Sequence, residues 1–553
     1  MSDSTLDFDF IVIGSGFGGS VTAHRLTEKG YKVAVMEMGR RWTAENLPST
    51  NWLLWRWIWR PHMALRGFFN IEMFRHVVIM HGCAVGGGSI TYANTLLVPT
   101  ESIWENGSWA GLAPWKKEMP AYFQTALKML GVIENRILGP ADQLLKRVAD
   151  AVGVGDTYYR THVAVFQPPE GEAGGKTYPD PYFGGEGPER TTCIGCGGCM
   201  MGCRYNAKNT LDKNYLYLAE KHGARVYAET KVVDVQPLGK ADGSDGYEVR
   251  TVKSTAWFGK EPRRFTCRGV VFAASALGSM DLLFRLKEKG SLAAISDQLG
   301  NRVRTNAESL IGVRVPRSKE DLSKGIAIGS GVYIDDYTHI EAVRYPEGAD
   351  AMGFLSTVMT GGRRGHTRIL LWLRTLVTSL LRHPIRTVRC LHPFGWAQEC
   401  LIMLCMQTLD GHIDMRLGRL WFWPFRKTLV SRGKKIPTFI PQANEFAEKA
   451  AKLMGGTPMS MVTEILFDVP ATAHILGGCP MAGSPAHGVV DERNRVFGYK
   501  NMYVCDGSVI AANLGVNPSL TICALTERAM SYIPAAAETD WTDAPQLVEQ
   551  DQT

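Results

Sequence analysis

The chain has 553 residues, of which 45% are hydrophobic, so it can bury two or three cores and is typical of a globular protein. Its formal net charge of +7 is modest for this length, and no RNA-stacking or helix-turn-helix pattern occurs, which argues against nucleic acid as a partner. No apolar run reaches the roughly 18 residues that a transmembrane helix needs.

The start of the chain predicts a cytoplasmic location. Only Met1 to Leu6 precede the first strand, and no basic and then apolar export signal fits there. The 12 cysteines should then be mostly reduced, so a close cysteine cluster indicates metal or redox chemistry before structural disulfides.

The first forty residues read as strand, glycine turn, helix, strand and acid. The apolar run Phe8–Ile13 precedes the glycine-rich stretch 14–19, and a second strand over Lys32–Met36 ends at a glutamate. Successive glycines permit a tight turn, close approach of the backbone to a pyrophosphate, and close helix–strand packing. The helix start favours phosphate, and the acid can bind ribose hydroxyls. The predicted dinucleotide-binding residues are Gly14, Ser15, Gly16, Gly19 and Glu37. An ordinary glycine turn does not account for the acid.

Two further N-terminal stretches are unusual. Four tryptophans with interspersed arginines occupy residues 52–60, and they either pack over the core or form a patch at a membrane interface. After an apolar strand over Val77–Met80, three consecutive glycines at 86–88 let the backbone approach a large flat group. Ser89 and Asn94 bring polar groups to it, although a simple loop is the alternative.

Four cysteines in the middle of the chain have the spacing C-x2-C-x2-C-x3-C of a bacterial iron–sulfur run. Arg204 stands in place of the usual proline, and a second such run is missing. A [4Fe–4S] cluster is one interpretation, and structural zinc or a redox-labile thiol cluster are others. The candidate metal ligands are Cys193, Cys196, Cys199 and Cys203.

Strands and a lid are predicted between these cysteines and the C-terminus. Arg225–Val235 reads as a strand in which Val233 lies where a backbone could meet an adenine. From about 303 to 461 a separate sheet is expected. Within that range, 363–389 holds an apolar run of about 13 residues flanked by arginines and free of acids. The run is too short to span a bilayer, so we favour an interfacial helix over a buried one.

The C-terminal block carries candidate chemistry. His474 precedes a glycine turn, Asp506 and Gly507 follow a strand, and Asn517 precedes Pro518 at the start of a helix. Glycines, a proline and helix-starting residues let backbone amides of this block point at an electron-rich ring.

Taken in order, these motifs resemble the glucose–methanol–choline (GMC) oxidoreductase family, and within it a branch of bacterial cholesterol oxidases. The resemblance covers nearly the whole chain. The motifs are the Gly14–Glu37 unit, the Gly86–Ser89 stretch with Asn94, the His474-Ile-Leu-Gly-Gly-Cys-Pro-Met box and the Asp506-Gly507 to Asn517-Pro518 box.

The resemblance implies an α/β fold with FAD as the cofactor. FAD is expected to contact Gly14, Ser15, Gly16, Gly19, Glu37, Gly87, Gly88, Ser89, Asn94, Val233, Asp506 and Gly507. A Rossmann-like FAD-binding domain is expected from the discontinuous segments 1–50, 76–130, 190–302 and 462–535. A mixed-sheet substrate domain is expected from 51–75, 131–189 and 303–461, with a membrane-facing lid over 363–400 and a disordered tail over 536–553.

The resemblance also implies a reaction. His474 is expected to bind the substrate hydroxyl and take its proton, which a neutral histidine with an ordinary pKa of about 6.5 can do at neutral pH. The flavin accepts the hydride, and Asn517 lies near its ring. We expect oxidation of an apolar alcohol, in the first place a 3β-hydroxysteroid such as cholesterol, to the ketone. Glu399 is expected to shift the ring double bond.

Two alternatives remain at this point. One is a long-chain aliphatic alcohol dehydrogenase of the same family, which passes electrons to a carrier protein through a cluster at the cysteines. The other, from a different class, is a flavin electron-transfer protein without alcohol chemistry. In each case peripheral contact with the inner face of the membrane is expected.

Overall fold

The computed structural model describes residues 6–362, 368–420 and 423–539, and two seven-stranded sheets organise them. The first sheet is built around an apolar strand, Phe8–Ile13, that is buried on both faces, as expected in a parallel sheet. In spatial order it contains Arg225–Tyr227, Val33–Met36, Phe8–Ile13, Arg263–Phe272, Tyr247–Lys253 and Thr230–Pro237, with Met502–Val504 also paired to Arg263–Phe272. The central strand is parallel to both neighbours, which confirms the predicted Rossmann-like unit.

The second sheet in spatial order contains Ser356–Val358, Thr457–Met461, Ser309–Arg314, Cys400–Gln407, Thr338–Val343, Ile328–Tyr333 and Tyr159–Arg160. All its pairs are antiparallel. The predicted α/β class is confirmed, but this sheet is antiparallel and not mixed. Neighbours such as Ile328–Tyr333 and Thr338–Val343 are joined by a hairpin, whereas parallel neighbours need a crossover.

Helices cover both sheets, and short strands and turns connect them. The α-helices are Phe17–Glu28, Leu54–Trp57, Trp115–Met129, Pro140–Ala151, Tyr215–Lys221, Ser275–Lys289, Ile369–Arg382, Pro384–Leu391, Trp396–Glu399, Pro441–Met454, Val462–Phe467 and Ser519–Ser531. The 3-10 turns are Pro61–Met63, Gly87–Ile90, Glu101–Glu105, Gly155–Thr157, Gly198–Met201, Leu211–Lys213, Ala351–Leu355, Gly507–Val509 and Ala536–Glu538. A small sheet contains Phe69–Met73, Val78–Gly82 and Ala471–Thr472, and two-stranded ribbons pair Trp59–Arg60 with Leu65–Arg66, Ile133–Glu134 with His162–Val163, Thr177–Tyr178 with Arg190–Thr191, and Asp414–Leu420 with Trp423–Arg432.

The tryptophan-rich stretch divides between core and surface. Trp57 and Trp59 are buried, and Trp57 stacks on Phe69 with ring centroids 4.8 Å apart. Trp55 is exposed, and Trp52 lies half-buried against other aromatic rings. Packing over the core therefore describes the end of the stretch, while its beginning lies at the surface.

Two predicted segments differ in detail from the structure. The predicted strand Arg225–Val235 is two strands, because Glu229 has a positive φ of 52° and turns the chain. The predicted tail begins with the 3-10 turn Ala536–Glu538, where the Ala536 N–H donates to the Lys29 carbonyl at 2.8 Å. Residues 540–553 lie outside the described residues.

The predicted lid forms two consecutive helices, Ile369–Arg382 and Pro384–Leu391, followed by the short helix Trp396–Glu399. Residues 363–367 of the lid lie outside the described part of the chain. None of the helices in the described ranges has the length and apolar character that crossing a membrane requires. The boundaries of the two predicted domains stay a prediction.

Candidate active site

A cavity of about 900 Å³ lies between the two sheets, at the upper end of the usual size for a small-molecule site. It is lined from the first sheet by both glycine stretches and from the second sheet by apolar side chains. The predicted residues that line it are Gly14, Ser15, Gly16, Glu37, Gly87, Gly88, Val233, His474, Asp506, Gly507 and Asn517. Sequence motifs more than 450 residues apart therefore meet in one cavity.

In the first glycine stretch, the fold requires glycine at Gly14 and Gly19, whereas Gly16 has open space beside it. Gly14 has a φ of 102°, and a Cβ on it would lie 2.3 Å from the Ala273 carbonyl oxygen. A Cβ on Gly19 would lie 2.1 Å from the Gly14 carbonyl oxygen, so Gly19 serves helix–strand packing and does not line the cavity. Gly16, at the start of helix Phe17–Glu28, has no atom within 4 Å of its Cβ position. That open space at a helix N-terminus fits a phosphate.

The acid of the dinucleotide unit is held by the protein itself. Glu37 accepts hydrogen bonds from the Ser15 N–H at 3.0 Å, the Ser15 hydroxyl at 2.7 Å and the Gly39 N–H at 2.7 Å. Burial raises the pKa of the Glu37 carboxyl, and these hydrogen bonds oppose that effect. The Gly86 N–H donates to the Ser15 hydroxyl at 3.0 Å, so the two glycine stretches are joined at this point.

The second glycine stretch lines the cavity beside the first, and we call the two stretches, 14–19 and 86–88, the nucleotide cradle. A Cβ on Gly87 would lie 2.5 Å from Gly16 Cα, so the two backbones touch. The Ser89 hydroxyl donates to the Gly86 carbonyl at 2.6 Å and accepts from the Leu211 N–H at 3.0 Å. Ser89 therefore fixes the shape of the loop and does not line the cavity.

Val233 and Asp506 close the cradle from two other directions. Val233 lies at a β-bulge between Val232 and Asp234, where the ladder with the neighbouring strand is interrupted. Its backbone is thereby released toward the cavity. Asp506 is buried, accepts from the Ser508 N–H at 2.8 Å and from the Ser279 hydroxyl, and has a pKa raised by burial. Taken together, open space at a glycine, a bulged strand and a helix start fit a dinucleotide cofactor.

His474 lines the cavity with one ring nitrogen held from behind. Its ring Nδ1 is hydrogen-bonded to Glu308 Oε1. The backbone N–H of His474 donates to Thr472 Oγ1 at 2.8 Å. The carboxylate holds the tautomer in which Nδ1 carries the proton, which leaves Nε2 for the cavity. Burial lowers the pKa of His474, but the charge and hydrogen bond of Glu308, with a contribution from Glu341, outweigh it and raise the pKa above its usual value.

Asn517 and Glu341 form a second buried pair. The Asn517 amide donates to Glu341 Oε2 at 3.2 Å, while Asn517 Oδ1 and Glu341 Oε1 are buried without a hydrogen-bond partner among the described residues. Burial raises the pKa of Glu341 to about 7, and the charge of His474 opposes this. Glu341 therefore interacts with two of the predicted catalytic residues, with Asn517 by a hydrogen bond and with His474 through its charge.

Glu399 is not brought to this site. Its Oε2 accepts from the Arg314 guanidinium at 3.0 Å and its Oε1 from the Arg317 N–H at 2.7 Å, and it does not line the cavity. Its carboxylate instead neutralises the buried Arg314 on the far end of strand Ser309–Arg314.

Asn94 does not itself line the cavity, although its neighbours Ala93 and Thr95 do. It has a φ of 75° and its side-chain amide lies beside the Cys199 thiol, outside the cavity lining. Both polar atoms of its side chain are buried without a hydrogen-bond partner among the described residues, so its contact to the cofactor stays a prediction.

The cysteine segment joins the two halves of the molecule. All 12 cysteines are free thiols, and the described residues contain no group of three or more side chains placed to bind a metal ion. The iron–sulfur and zinc interpretations thus have no support among the described residues, and the electron-carrier partner stays a prediction. The segment forms an isolated bridge between Cys196 and Gly325, which precedes strand Ile328–Tyr333 of the second sheet, and the Gly197 N–H donates to the Gly325 carbonyl at 2.8 Å. A structural role is sufficient to explain its glycines.

Three functional candidates escaped the sequence reasoning. Lys208 is buried and donates to the carbonyls of Ile90, Tyr92 and Cys199, so it clamps the glycine loop to the cysteine segment. Glu341 could have been found as the lone acid of strand Thr338–Val343, which is buried throughout. Glu308 carries no such signal, because it only precedes a strand.

Comparisons with known proteins agree with this geometry. A GMC oxidoreductase family model matches residues 426–526, and a model for NAD(P)-binding Rossmann-like domains matches residues 12–44. A cholesterol oxidase of Acinetobacter baumannii is 63% identical over 97% of this chain and 96% of its own length. One of Mycobacterium tuberculosis is 44% identical over 97% of this chain and 92% of its own length. The crystal structure of pyridoxine 4-oxidase from Mesorbium loti, 13% identical, shares the fold with a TM-score of 0.59 over 95% of this chain and 99% of its own.

Proposed function

Since the chain belongs to the GMC oxidoreductase family, we propose that it oxidises the hydroxyl of a 3β-hydroxysteroid, such as cholesterol, to the ketone with FAD. The observation that carries this proposal is the His474–Glu308 pair, which faces the same cavity as the nucleotide cradle. A plain electron-transfer protein has no use for a histidine held in one tautomer beside an apolar chamber.

The residues that line the cradle suit FAD. We assign the diphosphate to the open space at Gly16, the ribose side to Glu37 and the adenine side to the bulge at Val233. Asp506 and Gly507 close the cavity from the C-terminal block. When bound, the flavin supplies the acceptor for the hydride of the alcohol carbon.

His474 handles the proton of the substrate hydroxyl. With Nδ1 committed to Glu308, Nε2 is the atom that can accept a hydrogen bond from the hydroxyl and then its proton. Glu308 orients the ring and stabilises the imidazolium that forms, which is the same physical arrangement as a carboxylate behind a general base. The same Glu308 charge and hydrogen bond raise the pKa of His474 above its usual value, which stabilises the protonated ring relative to the neutral base.

Asn517 and Glu341 provide hydrogen-bond acceptors near His474. The partnerless Asn517 Oδ1 is available to a bound group in the cavity, while Glu341 holds the amide in place. A shift of the steroid double bond needs a carboxylate that can take and return a proton near neutral pH. We assign that role to Glu341 in place of Glu399, because Glu341 lies directly behind the lining residue Asn517, to which it is hydrogen-bonded, and burial raises its pKa to about 7.

The wall opposite the cradle favours an apolar substrate. It is formed by side chains of the second sheet and of the segments beside that sheet, and most of these side chains are buried. Apolar side chains of this wall are Tyr345, Met352, Leu355, Trp396, Ile402 and Leu404. Burial of a sterol ring system against such a wall provides binding free energy of about 25 cal/mol for each Å² of apolar surface.

An anaerobic titration of the flavin absorbance tests this proposal. Addition of a 3β-hydroxysteroid is expected to bleach the flavin band, and the 3α epimer is expected to bleach it much more slowly, because its hydroxyl cannot meet His474 Nε2 in the same pose. Bleaching by long-chain aliphatic alcohols alone would identify the other family activity. Absence of bleaching by any alcohol would contradict the proposal. Readmission of oxygen or of an artificial acceptor to the same sample identifies the electron acceptor.

A further inference from the structure

A histidine and a tyrosine, His339 and Tyr159, lie beside Glu341 and have no part in the proposed reaction; we call them the phenol–imidazole pair. His339 precedes Glu341 by two residues in strand Thr338–Val343, so the two side chains lie on the same face of the second sheet. His339 is 1% exposed, and its Nε2 is hydrogen-bonded to the Tyr159 hydroxyl. Burial lowers the pKa of His339 to about 4, so the ring is neutral at neutral pH. A neutral imidazole has one donor and one acceptor nitrogen, so it can take up a proton and pass one on.

A glycine lets the phenol–imidazole pair approach Glu341. In the register of the second sheet, Gly331 lies opposite Glu341 on one side and opposite Tyr159 on the other. A Cβ on Gly331 would lie 2.6 Å from the Tyr159 hydroxyl oxygen and 2.7 Å from His339 Nε2. The hydrogen bond between the two rings therefore occupies the place of the missing side chain, and side chains at such opposite positions are neighbours. Burial raises the pKa of Tyr159 well above its usual value, and the charge of Glu341 adds to this effect.

The phenol–imidazole pair leads from Glu341 to the edge of the second sheet. Tyr159 belongs to the edge strand Tyr159–Arg160 and is half-buried. Tyr333, whose ring stacks on His339 with centroids 4.8 Å apart, is also half-buried. Glu341 itself is fully buried, and its Oε1 has no hydrogen-bond partner among the described residues. The two rings thus lie between a buried carboxyl group and water.

Packing alone does not require these polar atoms. Phenylalanine rings could stack in the same places, and they would not bring an imidazole and a phenol out of water beside an acid. Glu341 has to gain and lose a proton if it shifts the double bond. The other ionisable groups that face it are His474 and Glu308, which the oxidation of the alcohol already uses. The phenol–imidazole pair is therefore the separate route by which a proton can reach Glu341.

We propose that Tyr159 and His339 form a proton relay between Glu341 and water at the edge of the second sheet, so that the proton taken from the steroid exchanges with solvent before one is returned. The relay rests on the proposed function, namely on Glu341 as the group that shifts the double bond. Tyr159 and His339 do not touch the substrate in this arrangement and act only through Glu341.

The relay moves protons only. The Glu341 carboxylate takes a proton from the carbon between the ketone and the double bond, and the electron pair of that bond stays on the steroid as a dienolate. The Glu341 carboxyl passes its proton to the Tyr159 oxygen while the phenol proton moves to His339 Nε2, and these protons exchange with water. The reverse movement returns a proton to Glu341, which gives it to the far carbon of the dienolate. With pKa values of about 4 for His339 and about 7 for Glu341, the charged imidazole is disfavoured by about 10³-fold and holds the proton only in passing.

Deuterium uptake by the FAD-loaded protein tests the relay. The substrate is the steroid ketone with its double bond unshifted, supplied in deuterated water, because its conversion needs no oxidation. Mass spectrometry measures the deuterium in each molecule of shifted product, and wild type is expected to give mostly labelled product. Tyr159→Phe and His339→Phe keep the ring packing, and the label per product should fall at least about fivefold, because Glu341 then returns the proton that it took. Tyr337→Phe removes an exposed phenol from the turn of the same hairpin and should give the wild-type label.

Three outcomes would overturn the relay. Unlabelled product from wild type would show that Glu341 returns the same proton directly. Equal labelling by Tyr159→Phe, His339→Phe and Tyr337→Phe would show that water reaches Glu341 by another route. Failure of wild type to shift the double bond would overturn the relay together with the role of Glu341. The oxidation is judged separately, from the bleaching of the flavin absorbance by the 3β-hydroxysteroid.

Discussion

The two ends of the cavity satisfy their buried polar groups in opposite ways. At the nucleotide end, the Glu37 carboxylate already has three donors, from Ser15 and Gly39, before any cofactor binds. At the substrate end, Asn517 Oδ1 and Glu341 Oε1 are buried with no hydrogen-bond partner in the described structure. Leaving such a group unsatisfied costs about 1–3 kcal/mol.

This difference separates binding from chemistry. The cradle is prearranged by the protein and recognises its ligand by shape, through glycines and open backbone, so the unliganded fold bears little cost there. The substrate end retains unpaired acceptors and a histidine with a raised pKa, and perturbed groups of this kind collect at reactive sites. Substitutions at the nucleotide end should therefore weaken cofactor binding, whereas substitutions at the substrate end should slow the reaction.

The largest effect is expected for His474→Gln. Glutamine cannot accept the hydroxyl proton, so the rate of anaerobic flavin reduction should fall by about 10² to 10⁴-fold while FAD stays bound. Stopped-flow absorbance measures the rate, and the unchanged flavin content shows that the fold is intact. His487→Gln, at an exposed histidine bonded to Ser484, is the matched control. Equal rates in the two variants would remove His474 from the mechanism.

A smaller loss, about 10²-fold at neutral pH, is expected for Glu308→Gln, which leaves the histidine but removes the charge behind it. Because the Glu308 carboxylate helps to raise the pKa of His474, its loss should lower that pKa. Flavin reduction requires the neutral histidine, so its rate falls as pH drops through this pKa. The acid limb of the rate profile should therefore move to lower pH in the variant.

Glu399→Gln serves as the comparison for Glu308→Gln. Its carboxylate is bonded to Arg314 outside the cavity, so the acid limb should stay at the wild-type position. A shift in Glu399→Gln without one in Glu308→Gln would contradict the assignment of Glu308 as the carboxylate that sets the pKa of His474.

At the nucleotide end, Gly16→Ala should weaken FAD binding by about tenfold or more and leave the free energy of unfolding of the apoprotein unchanged. No protein atom lies within 4 Å of the added Cβ, so only the bound phosphate can meet it. Gly14→Ala is the contrast, because its φ of 102° and a contact of 2.3 Å would destabilise the apoprotein by about 1–3 kcal/mol. Fluorescence titration with FAD and denaturant unfolding separate the two effects.

The smallest effect is a dependence of stability on pH. The pKa of Glu341 is raised from 4.5 to about 7 by burial, so the folded protein holds a proton that the unfolded chain releases. The free energy of unfolding should therefore decrease as pH rises from 4.5 to 7. Glu341→Gln removes this decrease, and the variant should gain roughly 1–3 kcal/mol relative to wild type across the window.

Glu464→Gln provides the control for Glu341→Gln. Burial also raises the pKa of Glu464 to about 7, but its carboxylate is bonded to Ser309 and the Leu310 N–H and not to Asn517 or His474. Both variants should show the same gain in urea unfolding above pH 7. Only Glu341→Gln should accumulate the steroid ketone with its double bond unshifted. A gain in neither variant would show that both carboxyls ionise normally.

Much of this arrangement could be predicted from sequence because local patterns specify it. The glycine stretch at Gly14 dictates its own turn, and the approach at Gly87 follows from consecutive glycines. Glu308 could not be found, because its role comes from the meeting of two strands and no local pattern marks it. Asn94 and Ser89 were predicted as cofactor contacts because they stand beside a cofactor loop. Neither lines the cavity: the Ser89 hydroxyl is bonded within the loop, and the Asn94 side chain is buried without a partner among the described residues.

Local patterns also could not predict the direction of strand pairing in the second sheet or the positions of the thiols in the cysteine segment. Strand positions such as Thr338–Val343 follow from apolar runs, but pairing direction depends on which strands become neighbours. The cysteine spacing matches that of a cluster-binding run, while the actual position of the thiols depends on the fold around Lys208 and Gly325.

The central claim is that the nucleotide end of the cavity binds the cofactor, while the residues of the substrate end carry out the reaction. One measurement on two variants tests this claim. The rate constant for anaerobic reduction by a 3β-hydroxysteroid should be measured in Gly16→Ala and His474→Gln, each saturated with FAD. We predict a near wild-type rate for Gly16→Ala and a rate at least about 10²-fold lower for His474→Gln. Equal slowing of both variants, or slowing of Gly16→Ala alone, would contradict this division.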